Sequence, residues 1–166
     1  MELRPEFVLP MISRILRDTV LPAVDEKHEV AQEQLKLAIG FLDVVIGQLP
    51  VIAAFDKDEL DRHVSLAGNL CALAANESSA ALRSALDGAK DGALPDATRA
   101  LRTAIAGFVD AVHRSGNGDA SRAVHRIMLD FAGTQFLRER ALAAAMGFES
   151  GAEPVPSIRE QLDLPA

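Results

Sequence analysis

The feature that most constrains this chain is a nineteen-residue apolar segment that runs from Leu37 to Phe55, LAIGFLDVVIGQLPVIAAF. Only Asp43 and Gln48 carry conventionally polar side chains within it. A surface helix with one buried stripe has a charged or polar face opposite that stripe, and this segment lacks such a face. The 37–55 segment therefore spans a membrane, lies inside a helical bundle, or faces a partner or an apolar ligand.

A membrane span is the interpretation that the segment favours least. An apolar run of this length could cross a hydrocarbon core of roughly 30 Å, but Asp43 near its middle disfavours insertion by about 3 kcal/mol. Pro50 interrupts the helix before the apolar run ends. No cluster of basic residues on either flank sets an orientation. We therefore expect no membrane span, and we interpret the segment as the central helix of a bundle whose remaining apolar surface faces a second subunit.

The position of Asp43 on the helix decides how the segment is oriented. Glu33, Gly40, Asp43 and Gly47 recur at spacings of three, four and seven, so they share one stripe of an α-helix. Apolar residues cover the rest of the helix surface. We predict that Asp43 reaches water, a helix end or a basic partner, and that Gly40 and Gly47 let another helix approach closely.

Length and composition predict one cytoplasmic domain that does not bind nucleic acid. A chain of 166 residues has the usual size of a single domain. Cys71 is the only cysteine, which excludes an intramolecular disulfide and fits a reducing compartment. We expect no signal peptide, because no long apolar core follows the first charged residues. A net charge of −7 and the absence of Trp and Tyr remove most of the attraction and stacking on which nucleic-acid binding depends.

Apolar residues recur at helical spacing along most of the chain, and no strand-like alternation persists. The predicted fold class is all-α, an up-and-down helical bundle of about five helices. The predicted helices run approximately from Pro5 to Leu21, from Asp25 to Leu49, from Asp56 to Gly88, from Pro95 to Ser115, and from Asp119 or Ser121 to Gly147. Pro10 is expected to kink or restart the first helix, and the polar residues 76–79 leave open whether the third is continuous.

The last two predicted helices each have a stripe with the spacing of a helix core. The stripe residues are Leu101, Ile105, Phe108 and Val112 in the fourth helix, and Val124, Ile127, Phe131, Thr134 and Leu137 in the fifth. Residues 1–147 form the predicted helical bundle domain, and residues 148–166 form a flexible acidic tail. Within that tail Ser157 and Glu160 have the spacing of a capping box, which predicts a short helix.

Three acidic or histidine pairs have the residue types of a metal site built between helices. Such sites use Glu residues and Glu-x-x-His pairs on facing helices of a bundle. The pairs are Glu29 with Glu33, Glu59 with His63, and Asp110 with His113. Only the last pair has a spacing of three, and its phase places it on a polar face with Arg99 and Arg102. We therefore expect ion pairs and solvation there, and no metal ligands.

The remaining candidate groups also favour structural roles. His63 and His125 border apolar stripes, where a histidine is usually satisfied by neighbouring groups, and no nucleophile partner is evident. Cys71 lies among apolar residues and is expected to be a buried, unreactive side chain. The glycine-containing loop at 115–122 precedes a helix, but it lacks the lysine of a P-loop, and Asp119 would repel a phosphate. We expect no catalytic, cofactor-binding or metal-binding residue.

The first fifty residues or so carry a resemblance to a known group of proteins. Arg4-Pro5-Glu6, then the run from Val20 to Val24, then a long helix with Glu33-Gln34, resembles small bacterial helical proteins. Members of that group look like accessory proteins encoded beside acyl-CoA dehydrogenases and aminoglycoside-phosphotransferase-like kinases. The resemblance implies a link to acyl-CoA or small-molecule metabolism and identifies no active residue. The chain is too short to include the β-domain of a flavin dehydrogenase, so we expect no such activity of its own.

Together these observations predict a cytoplasmic, non-catalytic interaction or accessory protein that forms a homodimer. The alternative is a small enzyme or carrier that binds an acyl or other apolar ligand between its helices. Native mass spectrometry distinguishes the two, because a copurified apolar ligand favours the carrier and a clean homodimer favours the interaction protein.

Overall fold

The computed structural model describes residues 3–73, 79–143 and 154–164, and within these ranges the fold is all-helical. Its elements are α1 (Pro5–Ile15), a π-helical turn (Leu16–Val20), α2 (Leu21–Ala23), α3 (Glu29–Gln48), α4 (Ile52–Leu73), α5 (Ala80–Gly88), α6 (Leu94–Arg114), α7 (Gly118–Ala143) and α8 (Ile158–Gln161). The described residues confirm the all-α class, but they contain more helices than the five or so predicted. Most of the polar stretch at 76–79 lies outside them.

The chain divides into two compact units. Unit 1 comprises residues 1–53 and 138–166, and unit 2 comprises residues 54–137. The divisions fall within α4 and α7. The predicted bundle domain over 1–147 and tail over 148–166 remain a prediction, since residues 144–153 lie outside the described residues.

Unit 2 contains a continuous apolar core. α6 contributes its predicted stripe to that core, because its apolar residues recur at spacings of four, three and four and so line one side of the helix. The core residues with the least exposure are Leu66, Ala67, Leu70, Leu82, Leu101, Ile105, Phe108, Val112 and Val124. The predicted core position of the α6 stripe is confirmed.

The predicted stripe of α7 is correct only in its first half. Val124 is buried and Phe131 is partly buried, but Thr134 and Leu137 are exposed. Gln135 is buried instead, and its side chain donates a hydrogen bond to Glu59 in α4. The helix also begins differently, since Asn117, and not Asp119 or Ser121, accepts a hydrogen bond from the backbone of the first turn.

In unit 1, α1 contacts α3, and polar side chains mark the contact. Ser13 donates a hydrogen bond to Asp43 over 2.6 Å. Arg17, in the π-helical turn, forms an ion pair with the other carboxylate oxygen of Asp43. The Asp43 side chain remains 43% exposed. The prediction that Asp43 reaches water or a basic partner is therefore confirmed in both respects.

The 37–55 segment is interrupted near Pro50, as the sequence predicts, but its α3 part is more exposed than the predicted central helix. α3 ends at Gln48, residues 49–51 form a turn that contains Pro50, and α4 begins at Ile52. Only Ile39 and Val44 are buried within α3. Among the described residues, a side chain added at either of the two α3 glycines would meet no atom within 4 Å, so they show no close approach of another helix at Gly40 or Gly47.

Two predictions about proline and capping have different outcomes. α1 continues through Pro10, and the irregular stretch lies later, in the π-helical turn. Ser157 and Glu160 form the predicted capping box of α8, with both reciprocal hydrogen bonds present. Among the described residues, no single helix is long and apolar enough to cross a membrane; only α3 and α4, taken together as a broken helix, reach the required length and hydropathy.

Candidate functional site

The most elaborate arrangement of polar side chains in unit 2 lies where α4, α6 and α7 meet. It consists of Glu59 and His63 from α4, Arg102 from α6 and Gln135 from α7, which we call the polar cluster. Glu59 and His63 are four residues apart, so they lie on the same side of α4 and face the same two neighbouring helices.

Hydrogen bonds fix the tautomer of His63. Its Nδ1 lies 2.7 Å from the backbone carbonyl oxygen of Glu59, which can only accept, so Nδ1 carries the proton. Arg102 donates through Nε to His63 Nε2 over 3.2 Å. A guanidinium group only donates, so Nε2 must be the unprotonated acceptor. The geometry therefore requires a neutral imidazole with its proton on Nδ1.

The surroundings of His63 favour the same neutral form. The residue is only 3% exposed, and this burial lowers its pKa below the usual value of 6.5. The positive charges of Arg102 and Arg62 lower the pKa further, while the hydrogen bond to the Glu59 carbonyl and the Glu59 charge oppose the change. Protonation of His63 would bring a second cation against Arg102 and remove the hydrogen bond between them.

Glu59 holds the polar cluster together through one carboxylate oxygen. That oxygen pairs with Arg102 Nη2 and accepts a second hydrogen bond from Gln135 Nε2 over 3.3 Å. The Glu59 side chain is mostly buried, whereas Arg102 is half-exposed. A carboxylate in such a position is stabilised by its cation, and loss of the cation leaves a poorly solvated charge.

The polar cluster links three helices, and its geometry offers little for catalysis. Both ring nitrogens of His63 are engaged, so neither is available as a general base or as a metal ligand without breaking a hydrogen bond. Within the described residues, no three His, Cys, Asp or Glu side chains stand close enough together to hold a metal ion. The arrangement is suited to fixing α4, α6 and α7 in register.

A cleft between α4 and α7 adjoins the polar cluster. It has a volume of about 390 Å³, and Leu66, Ile127 and Phe131 form its apolar floor. The polar residues that line it are Asp61, Arg62, Ser65, Asn69 and Asp130. Phe131 connects the two features, because its ring centroid lies 5.0 Å from that of His63 in an edge-to-face arrangement. On the cleft side, the Arg62 guanidinium lies 5.8 Å from the Phe131 centroid.

The three pairs with the residue types of metal ligands form other contacts or are exposed. Glu33 accepts a hydrogen bond from Lys36 over 2.7 Å, and Glu29 is exposed. Asp110 and His113 are also exposed, as their phase on α6 predicted. Of the three pairs, only Glu59 and His63 come together in a largely buried site, and there both side chains accept hydrogen bonds from Arg102.

The positions of His125 and Cys71 differ from those that the sequence predicts. His125 was expected at the edge of the core, but it is exposed, as are its neighbours Leu129 and Phe136. The side of α7 that meets the core instead carries Val124 and Gln135. Cys71 is half-buried against the core, where complete burial was expected.

Sequence reasoning missed the roles of Arg102 and Gln135. The helical phase of Arg102 predicts a solvated face of α6, and its side chain is half-exposed while it reaches two partners on α4. The available signal was the Glu59–His63 pair beside the buried Leu60, since two polar groups next to a core position need partners.

Comparison of the whole chain with protein-family models, curated proteins and solved structures finds no match. Function is therefore inferred from the geometry of the two units.

Proposed function

We propose that this chain is a non-catalytic helical interaction protein that self-associates through exposed apolar surface on unit 1. Two sets of residues carry the proposal: the α1 stripe (Phe7, Met11 and Ile15) and the α3 stripe (Leu37, Phe41 and Val45). Each stripe repeats every four residues, so its members stand in a row along one side of a helix. All six side chains are between 45% and 61% exposed.

Both stripes face away from the contact between α1 and α3. Met11 and Ile15 each stand two residues from Ser13, which is about 200° around a helix from the side that meets Asp43. Phe41 and Val45 stand in the same relation to Asp43. Single exposed apolar residues are normal on soluble proteins, but rows of large apolar side chains mark surfaces that a partner covers.

The charge pattern of α3 also suits an interface between copies. From Leu37 to the end of α3, Asp43 is the only charged residue, and Arg17 pairs with it. Two copies can therefore bring their α3 helices together without placing unpaired like charges in contact. Depletion of charge at the centre is typical of protein interfaces, and a two-fold axis covers the same patch on both copies at once.

Size-exclusion chromatography with light scattering tests the proposal through a matched pair of variants. Phe41→Glu places a charge in the α3 stripe, and Phe136→Glu makes the same change at a comparably exposed phenylalanine on α7. We expect a dimer for the unchanged protein and for Phe136→Glu, and a monomer for Phe41→Glu. A monomeric unchanged protein at micromolar concentration, or equal loss in both variants, would contradict the proposal.

The resemblance of the first fifty residues extends the proposal to an accessory role beside acyl-CoA metabolism in the cytoplasm. The dimer would then act by contacting an enzyme of that metabolism. Affinity purification of the full chain from its native cells should recover an acyl-CoA dehydrogenase or a phosphotransferase-like kinase. Recovery of the same proteins with Phe41→Glu and with the unchanged chain would show that self-association is not required for the contact.

The α4–α7 cleft favours a second candidate, a carrier of an apolar ligand. Its floor of Leu66, Ile127 and Phe131 could hold an acyl chain. The cleft is open to solvent, however, so a bound chain would keep part of its apolar surface in water. Native mass spectrometry should show no copurified ligand if the interaction protein is correct, whereas an added mass lost in Phe131→Ala would favour the carrier.

A further inference from the structure

A second cleft in unit 2 has a charge opposite to that of the whole chain. It lies between the last turn of α6 and the first half of α7, and its volume is about 480 Å³. The residues that line it are His113, Ser121, Arg122, His125, Arg126 and Leu129. We call it the α6–α7 cleft.

Helical spacing explains why these residues share one surface. On α7, Ser121, His125 and Leu129 are separated by four residues, and Arg122 and Arg126 form a parallel row. The turn after α6 contains Gly116 with φ of 71°, a left-handed conformation that glycine adopts without strain. This turn brings the start of α7 beside His113.

Among the described residues, one ion pair lies at this cleft, and Arg126 remains as the cationic group that lines it. Asp119 is the only acidic residue between His113 and Leu129, and it pairs with Arg122. The concern that Asp119 would repel a phosphate is weaker in this arrangement, since a guanidinium group neutralises it. In the described part of the chain, no carboxylate pairs with Arg126. A region with such charge stands out in a protein whose net charge is −7.

We propose that the α6–α7 cleft binds a small soluble phosphate monoester. A guanidinium group matches the geometry of phosphate oxygens and can donate two parallel hydrogen bonds, which assigns the central contact to Arg126. His113 and His125 donate from α6 and α7 to the remaining oxygens. Leu129, which is 59% exposed at the wall of the cleft, contacts the apolar part of the ester.

Titration with phenyl phosphate and with inorganic phosphate, followed by calorimetry or NMR at constant ionic strength, tests this site. We expect saturable binding of both, with phenyl phosphate the tighter. Loss of a charged hydrogen bond in Arg126→Ala should raise the dissociation constant about tenfold or more. Leu129→Ala should weaken phenyl phosphate and leave inorganic phosphate nearly unchanged.

Arg83→Ala is the matched control, because Arg83 is an exposed arginine of α5 that does not line the cleft. Its dissociation constants should equal those of the unchanged protein. An equal loss in Arg83→Ala and Arg126→Ala, or shifts that sodium chloride reproduces, would show nonspecific attraction and overturn the proposal. Vesicles of phosphatidic acid and phosphatidylcholine distinguish a lipid source. Sedimentation with them that Arg126→Ala abolishes would overturn the assignment of a soluble ligand.

Discussion

α3 in unit 1 and α6 in unit 2 have similar lengths and opposite relations between composition and burial. α3 is the more apolar helix, yet it buries only Ile39 and Val44. α6 carries charged residues along its whole length and buries six residues, Ala97, Thr98, Leu101, Ile105, Phe108 and Val112. The spacing of the apolar residues, and not their number, therefore decides which residues form a core. In α3, large apolar residues that lie outside the buried side remain exposed, and our proposal is that a second copy covers them.

Truncation of one phenylalanine in each helix should show the largest difference between α6 and α3. Phe108→Ala in α6 should lower the free energy of unfolding by about 3–5 kcal/mol, because it removes a large side chain from a packed core. Phe41→Ala in α3 should change the free energy of unfolding of the monomer by less than about 0.5 kcal/mol. Urea denaturation at low protein concentration measures both. Similar losses would show that the two helices are buried alike.

The second-largest effect is expected in the polar cluster of unit 2. The described part of unit 1 contains no similar cluster around a buried histidine. Arg102→Ala leaves the Glu59 carboxylate without its cation and His63 without a donor, so we expect a loss of about 1–2 kcal/mol. The value is below that of a fully buried pair because Arg102 is half-exposed. Arg99→Ala, at an exposed ion pair on the same helix, should cost less than about 0.5 kcal/mol.

The stability of unit 2 should also depend on pH through His63. Its pKa is lowered in the folded state, so the unfolded chain binds more protons as the pH falls below 6.5. The stabilisation is therefore fully present above pH 6.5 and is lost as the pH falls towards the folded-state pKa. Thermal unfolding between pH 7.5 and pH 5 should show this fall, and His63→Gln should flatten it. His113→Gln is the control. If stability depends on pH as steeply in His63→Gln as in the unchanged protein, His63 is not the cause of that dependence.

The smallest expected effect comes from glycines in helix interiors. Gly107 in α6 and Gly40 in α3 both have open space where a side chain would lie. Alanine at either position should raise the free energy of unfolding of the monomer by about 0.5–1 kcal/mol, since it reduces the freedom of the unfolded chain. If Gly40→Ala destabilises the monomer and Gly107→Ala does not, another part of the chain approaches α3 closely at Gly40.

Local patterns predicted much of this fold. Four features depend only on residues that are close in sequence or that share one side of a helix. They are the α6 stripe, the end of α5 at Gly88, the capping box at Ser157 and the exposure of Asp43 to water and a basic partner. The π-helical turn has no such signal. The register of α7 after Phe131 could not be predicted either, because burial of Gln135 depends on a carboxylate 76 residues away in sequence.

The candidate site was harder to predict for the same reason. The sequence marks Glu59 and His63 as a pair and predicts a structural role for His63, but it does not identify their partner. The guanidinium group that they contact comes from α6, on which Arg102 has the phase of an exposed residue. A long side chain can leave its own helix face and reach a neighbouring one, so phase alone does not place its charge.

Sedimentation equilibrium of the unchanged protein over a range of concentrations measures directly whether the chain forms a dimer. If a second copy covers the α1 and α3 stripes, the measured mass at micromolar concentration should be twice the 17.7 kDa of one chain. Dilution should then reduce that mass towards a single chain along one dissociation curve. A mass of one chain at every concentration would contradict the account and leave the apolar surface of α3 to a different partner.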